Sequence, residues 1–335
     1  MKRVTVTAFA LVGAGAAFGG AFAQNAGSDG FALPREVVSA ATAFQAYMDG
    51  AARIDAGFSN GAAVAKGLRT GAAYEPAQLE EGMIAYSAIE ALQDDRFVQG
   101  VEDAAEDEGR EAMAERLIED PRAATGIDGA AEAARRIEAA LGAEASPLVS
   151  AGAQVKSAAY AVQRQAWSKA IVVDAKGRLA EVKTLSAERA APSEDDNQAM
   201  MLAVASARAP DDDGQAPRFS PIEAKALALA AESVLGRAHG ADRDRLSPLL
   251  TETDSAFCLK MAKLNLYQCM AVAGPQYEDI FRLGQHAMYD TAQCVDRATH
   301  AGAATTVAYL GGAQPGRRAA YQPLAAHRSL RIDPN

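Results

Sequence analysis

Residues 257–300 read FCLKMAKLNLYQCMAVAGPQYEDIFRLGQHAMYDTAQCVDRATH, from Phe257 to His300, and hold all three cysteines of the chain. Gly274-Pro275 breaks the stretch, because proline cannot continue a helix. The spacing therefore predicts one helix up to the break and a second from about Gln276 to His300. Along the first helix, an eleven-residue step returns to within about 20° of its starting direction but rises about 16 Å. Cys258 and Cys269 thus share a face and stand too far apart to bond, since a disulfide needs Cα atoms within about 7 Å. Folding the segment back on itself as an antiparallel pair brings Cys258 and Cys294 to heights that differ by roughly 4 to 5 Å. The geometry favours a Cys258–Cys294 disulfide closing a loop of about 35 residues, a constraint that contributes about 2–4 kcal/mol. Cys269 is expected opposite Asp279–Arg282, where no thiol waits, and remains a free thiol available to pair with another subunit in a dimer.

Working outward, helical punctuation dominates and strand signals are nearly absent, so the fold expected is all-α, a multi-helix array or bundle ending in this antiparallel hairpin. Pro34 precedes an apolar stripe of Val37, Ala41, Phe44 and Met48, and Pro76 one of Leu79, Met83, Tyr86 and Ile89 or Glu90. Asp94 and Asp95 suit a cap before Phe97, Val98 and Val101. Met113 and Leu117 mark a short helix that stops near Asp120-Pro121. The longest tract runs from about Gly129 to Lys169, with breaks expected at Gly142 and Pro147. Its second part sets Leu148, Gly152, Val155, Ala159, Val162 and Ala166 on one face, beside the only tryptophan, Trp167, read as a core anchor. Residues 187–198 and 208–220 read as connections, and helices resume at Pro221 with Ile222, Leu229 and Val234 inward.

The N-terminus has the form of a secretory signal peptide over residues 1–23. Lys2 and Arg3 precede a mostly apolar Val4–Gly20, and Ala21-Phe22-Ala23 supplies small residues for cleavage before Gln24. The glycines and small residues favour removal over anchoring, and no later stretch approaches the roughly 18 apolar residues of a membrane span. A periplasmic or secreted location, where disulfides persist, is expected. Loss of Lys2 and Arg3 takes the formal charge from −10 to −12. An acidic protein of this kind excludes a general nucleic-acid role, because phosphate binding needs clustered Lys and Arg. The charge is uneven: residues 300–335 carry Arg317, Arg318, Arg328 and Arg331 against Asp333 alone, and this Gly-, Ala- and Pro-rich basic tail is expected to be disordered. The organisation expected is a helical domain over 24–207, an acidic linker over 208–220 holding Asp211-Asp212-Asp213-Gly214, and a C-terminal helical domain over 221–299. The acidic run lacks the alternating spacing and terminal Glu of a calcium loop.

The block F-C-L-K-M-A-K-L-N-L-Y-Q-C at 257–269, with Y-E-D-I-F-R-L-G-Q-H at 277–286 and D-T-A-Q-C at 290–294, resembles a segment of exported alphaproteobacterial helical proteins of unknown function. In those proteins a fourth Cys often stands at the position of Arg282. The resemblance implies that such a residue would face Cys269 and complete a twice-stapled hairpin, which this chain lacks. It covers little more than a tenth of the chain and implies no activity.

Chemistry-bearing motifs are few. His286, Asp290 and Cys294 step by four along one helical face, and imidazole, carboxylate and thiolate at that spacing can bind a transition metal. The competing reading closes Cys294 in the disulfide and leaves His286 and Asp290 as an i,i+4 pair. Gly57-Phe58-Ser59-Asn60-Gly61 matches the pattern of a hydrolase nucleophile elbow, but that device needs a strand-to-helix turn, and no alternation of strands and helices surrounds it. No phosphate-binding loop, dinucleotide fingerprint, H-E-x-x-H, C-x-x-C or haem-attachment motif occurs. No catalytic residue and no cofactor is assigned. The function expected is that of a non-enzymatic periplasmic binding or structural protein engaging an unknown envelope component or protein. The alternative is a metal- or thiol-dependent protein using Cys269 or the His286/Asp290/Cys294 face.

Overall fold

The computed structural model describes residues 33–210, 218–238, 243–272 and 274–299. The signal segment 1–23, the Asp211–Gly214 run and the basic tail lie outside them. Among the described residues every regular element is helical, the one extended contact being an antiparallel bridge between Ile171 and Pro275.

The first five helices are α1 (Arg35–Ala52), α2 (Gly61–Ala72), α3 (Pro76–Ala91), α4 (Asp95–Glu108) and α5 (Arg110–Glu119), followed by a 3-10 turn, Pro121–Gly126. Next come α6 (Ala130–Val162), α7 (Ala166–Lys169), α8 (Ala175–Leu185), α9 (Glu194–Ser206), α10 (Pro221–Val234) and α11 (Arg243–Leu246). The C-terminal pair is α12 (Thr253–Ala271) against α13 (Gln276–Arg282), which runs through a π-helical segment, Leu283–Tyr289, into α14 (Asp290–Arg297).

The apolar stripes lie where their spacing places them. Val37, Ala41, Phe44 and Met48 of α1 are buried, as are Leu79, Met83, Tyr86 and Ile89 of α3. Starts follow from local chemistry: the Asp94 side chain accepts the Phe97 amide at 3.0 Å, satisfying one of the orphan donors of the first turn. At Ser220 and Glu223 a reciprocal capping box opens α10 behind Pro221. α3 and α10 are buried on nearly every side, so they form the interior layer, and they pack on each other with α1, α6, the Pro121–Gly126 turn and α12 around them.

Three expectations are corrected. Gly142 and Pro147 do not break the long tract: α6 runs unbroken for 33 residues through both. An internal proline costs about 3 kcal/mol, and burying Ile137, Leu141, Ala145, Leu148, Val155 and Ala159 along the same helix offsets it. The connection expected over 187–198 stops at Ser193, whose hydroxyl accepts the Asp196 amide in a second capping box and starts α9 at Glu194. Finally, 208–220 does not separate two cores. Ile222, Leu227 and Leu229 from beyond it belong to the same buried cluster as Phe44, Met83 and Leu117 from before it. Trp167 lies at the margin of that cluster, half-buried, with its indole N–H on the Gln165 side chain.

Candidate functional site

The disulfide sets the register of the C-terminal pair. Cys258 on α12 is bonded to Cys294 on α14, with Cα atoms 5.7 Å apart and 36 residues of sequence separation. Both sulfurs are buried among core side chains. The π-segment is held on its other side by α6. A Cβ on Gly284 would stand 2.5 Å from the Lys156 amide nitrogen and 2.8 Å from the Gly152 carbonyl oxygen, so only glycine lets the two backbones come this close. Gly152 meets the Gly284 carbonyl and the Tyr289 amide in the same way, at 2.9 Å.

Within that clamp the free thiol finds a partner. Cys269 Sγ lies 3.4 Å from His286 Nε2. His286 Nδ1 is 2.8 Å from Asp290 Oδ2. The other oxygen of Asp290 accepts from Gln285 Nε2 at 2.8 Å, and Gln285 Oε1 accepts from Lys156 Nζ at 2.5 Å. A carboxylate has no proton to give, so Asp290 holds the hydrogen of the neutral imidazole on Nδ1. The lone pair then sits on Nε2, the atom that faces the thiol. Cys269, His286 and Asp290 are all half-buried, and the chain of contacts runs from the Cys269 sulfur to Lys156 on α6.

Cys269 therefore does not stand opposite Asp279–Arg282 as its Cα height suggested. Side chains lean toward the N-terminus of their own helix. In an antiparallel pair, Cys269 leans away from the turn and the imidazole of His286 leans back toward it, and the two close the axial gap. Asp279 and Arg282 are engaged elsewhere: Asp279, fully buried, accepts from Arg178 at 2.6 Å, and Arg282 pairs with Glu278 at 2.8 Å. The expected metal set is corrected too. His286 and Asp290 do pair, but the Cys294 sulfur is spent in the disulfide and cannot bind as thiolate. No group of three His, Cys, Asp or Glu side chains among the described residues is arranged to hold a metal ion.

Ser59 is exposed between α1 and α2, and among the described residues its hydroxyl accepts from its neighbour Asn60. Asn60 in turn caps α2 through Ala63. The strand-turn-helix that would lift a nucleophile is absent there, and no imidazole bonds to Ser59 among the described residues.

A second polar cluster, not anticipated from the sequence, surrounds the C-terminus of α2 beside this site. Lys263 is buried, donates to the Ala72 carbonyl at 2.7 Å and lies 3.4 Å from the centroid of the Tyr74 ring. Burial pushes its pKa well below the ordinary lysine value. The Tyr47 hydroxyl donates to Ala287 O at 2.8 Å, and the Tyr74 hydroxyl bonds the Thr291 hydroxyl, also at 2.8 Å. The last carbonyls of α2 are thus satisfied by side chains from α1, α12 and the C-cap of α8. The signal was present: Lys263 interrupts an apolar stripe of Leu259, Leu266 and Met270 on α12. Its bond to Ala72 ties α12 to the C-terminus of α2.

No helix among the described residues is long and apolar enough to cross a membrane. No protein-family model, curated protein or solved structure matches this chain.

Proposed function

We propose that this is an exported, thiol-dependent protein whose reacting group is Cys269. The observation that carries the reading is the Cys269–His286–Asp290 relay, with contacts of 3.4 and 2.8 Å. A nucleophilic cysteine works as the thiolate and needs a base within reach and a third group to orient that base. In this arrangement His286 Nε2 takes the thiol proton as the sulfur attacks. Asp290 stabilises the imidazolium that forms, and Gln285 and Lys156 hold Asp290 in place. Export to an oxidising compartment is supported by the signal-like residues 1–23 and by a Cys258–Cys294 bond that such a compartment preserves. The test is alkylation of Cys269 by iodoacetamide at neutral pH. Replacing His286→Gln should slow it at least about tenfold and Asp290→Asn by a smaller factor. Equal rates in all three proteins would defeat the reading.

A non-enzymatic binding role draws on a different observation. Phe257 and Leu264 are exposed on one face of α12, and Val272, Ile171 and Val173 are exposed near its end. A photocrosslinking side chain at Leu264 should give one discrete protein adduct in the producing cell, and adducts spread over many proteins would count against it.

A further inference from the structure

Whatever Cys269 attacks, this chain cannot finish a redox cycle by itself. Its three cysteines are all among the described residues, and two of them are closed in the disulfide. The nearer along the same helix, Cys258, lies eleven residues back, about 16 Å along the axis. A resolving thiol must come within disulfide distance of the first sulfur, and none does.

From this we infer that Cys269 is an S-thiolation site for low-molecular-weight disulfides, an inference that rests on the reading of Cys269 as a nucleophile. The reaction is one exchange. The Cys269 thiol proton passes to His286 Nε2 as the sulfur attacks one sulfur of an external disulfide RS–SR. The bond between Cys269 and that sulfur forms, the RS–SR bond breaks, and the leaving RS⁻ takes the proton from His286. The products are the mixed disulfide on Cys269 and one RSH, and the external disulfide is the only oxidant consumed. With no internal thiol to expel it, the adduct stays until an external thiol removes it. A small disulfide fits better than a folded partner protein, because Cys269 is half-buried, with its sulfur against His286 of the π-segment. An extended small molecule reaches it where a broad protein surface does not.

The test uses the full-length exported chain incubated with oxidised glutathione and followed by intact mass and peptide mapping. The expected result is one glutathionyl group per chain on Cys269. The adduct should persist after the reagent is removed, be released by added thiol, and form about tenfold more slowly in His286→Gln. Asp290→Asn, with helicity checked by circular dichroism, serves as the second variant should His286→Gln fold poorly, and it should also slow uptake. No adduct on a protein whose Cys269 alkylates rapidly would overturn the inference while leaving the nucleophile reading intact. A disulfide-linked dimer as the main product, or an adduct that migrates to Cys258 or Cys294, would also overturn it. Slow alkylation that is indifferent to His286 would remove both.

Discussion

Replacing Cys258→Ala and Cys294→Ala together removes the staple on which the site's register depends. The bond spans 36 residues of sequence. In the chain-entropy treatment a loop of that length restricts the unfolded state by about 13 cal/mol/K, or about 4 kcal/mol at 25 °C. Cys258 and Cys294 are 6 % and 4 % exposed, so removal of their sulfurs also leaves a small cavity worth on the order of 1 kcal/mol. A total loss of about 3–5 kcal/mol is expected, and it should be accompanied by a larger m-value because the unstapled chain exposes more surface. Urea unfolding followed by circular dichroism measures both. The same variant should lose most of the effect of His286 on Cys269 alkylation, since α12 is then free to slide along α14. A loss below about 1 kcal/mol, or a Cys269 reactivity unchanged in the unstapled protein, would refute the view that the disulfide holds this geometry.

Two further outcomes follow from the packing and the buried carboxyls. Gly284→Ala sets a methyl 2.5 Å from the Lys156 amide nitrogen; since backbone must move, a cost of about 2–4 kcal/mol is expected in urea unfolding, and a cost under about 0.5 kcal/mol would mean that α6 and the π-segment are not in close contact. Burial raises both Glu80 and Glu144 to about 7, helped at Glu144 by the charge of Asp49. A carboxyl whose folded pKa exceeds its unfolded value contributes stability that is fully present below the unfolded value and is lost as pH rises through about 7. The ceiling is about 3 kcal/mol each; water at half-buried Glu144 and relaxation of the surroundings of both carboxyls bring this to about 1 kcal/mol each. The thermal midpoint should therefore fall by roughly 5 °C between pH 5 and pH 8, and Glu80→Gln with Glu144→Gln should flatten that slope; an equal slope in the variant would contradict the assignment.

The all-α class and the Cys258–Cys294 pairing were legible because a regular helix has a fixed rise and angular step, so residue counting converts directly into height and direction. The apolar stripes of α1 and α3 were legible for the same reason. What was not legible depended on partners distant in sequence. Pro147 reads locally as a break, and only the burial of Leu141, Leu148 and Val155 against other helices overrides it. The 208–220 stretch reads as a boundary by composition, yet α10 is the interior layer of the core laid down by earlier helices. The relay was half visible: the spacing of His286 and Asp290 announced their pair, but Cys269 was matched by Cα height, without the backward lean of both side chains. The π-segment, with its neighbours Gln285 and Lys156, carries no periodic signature at all; Gly284 and Gly152 were its trace, small residues where two backbones touch.

Activation of Cys269 by the fold is tested most directly by comparing its second-order alkylation rate in the folded protein and in urea-unfolded chains. Activation by His286 predicts a faster reaction in the folded state, although the sulfur is half-buried there, and a His286→Gln protein that reacts more slowly folded than unfolded. A wild-type protein that reacts more slowly folded than unfolded would show that the structure only shields the thiol, and the account would be wrong.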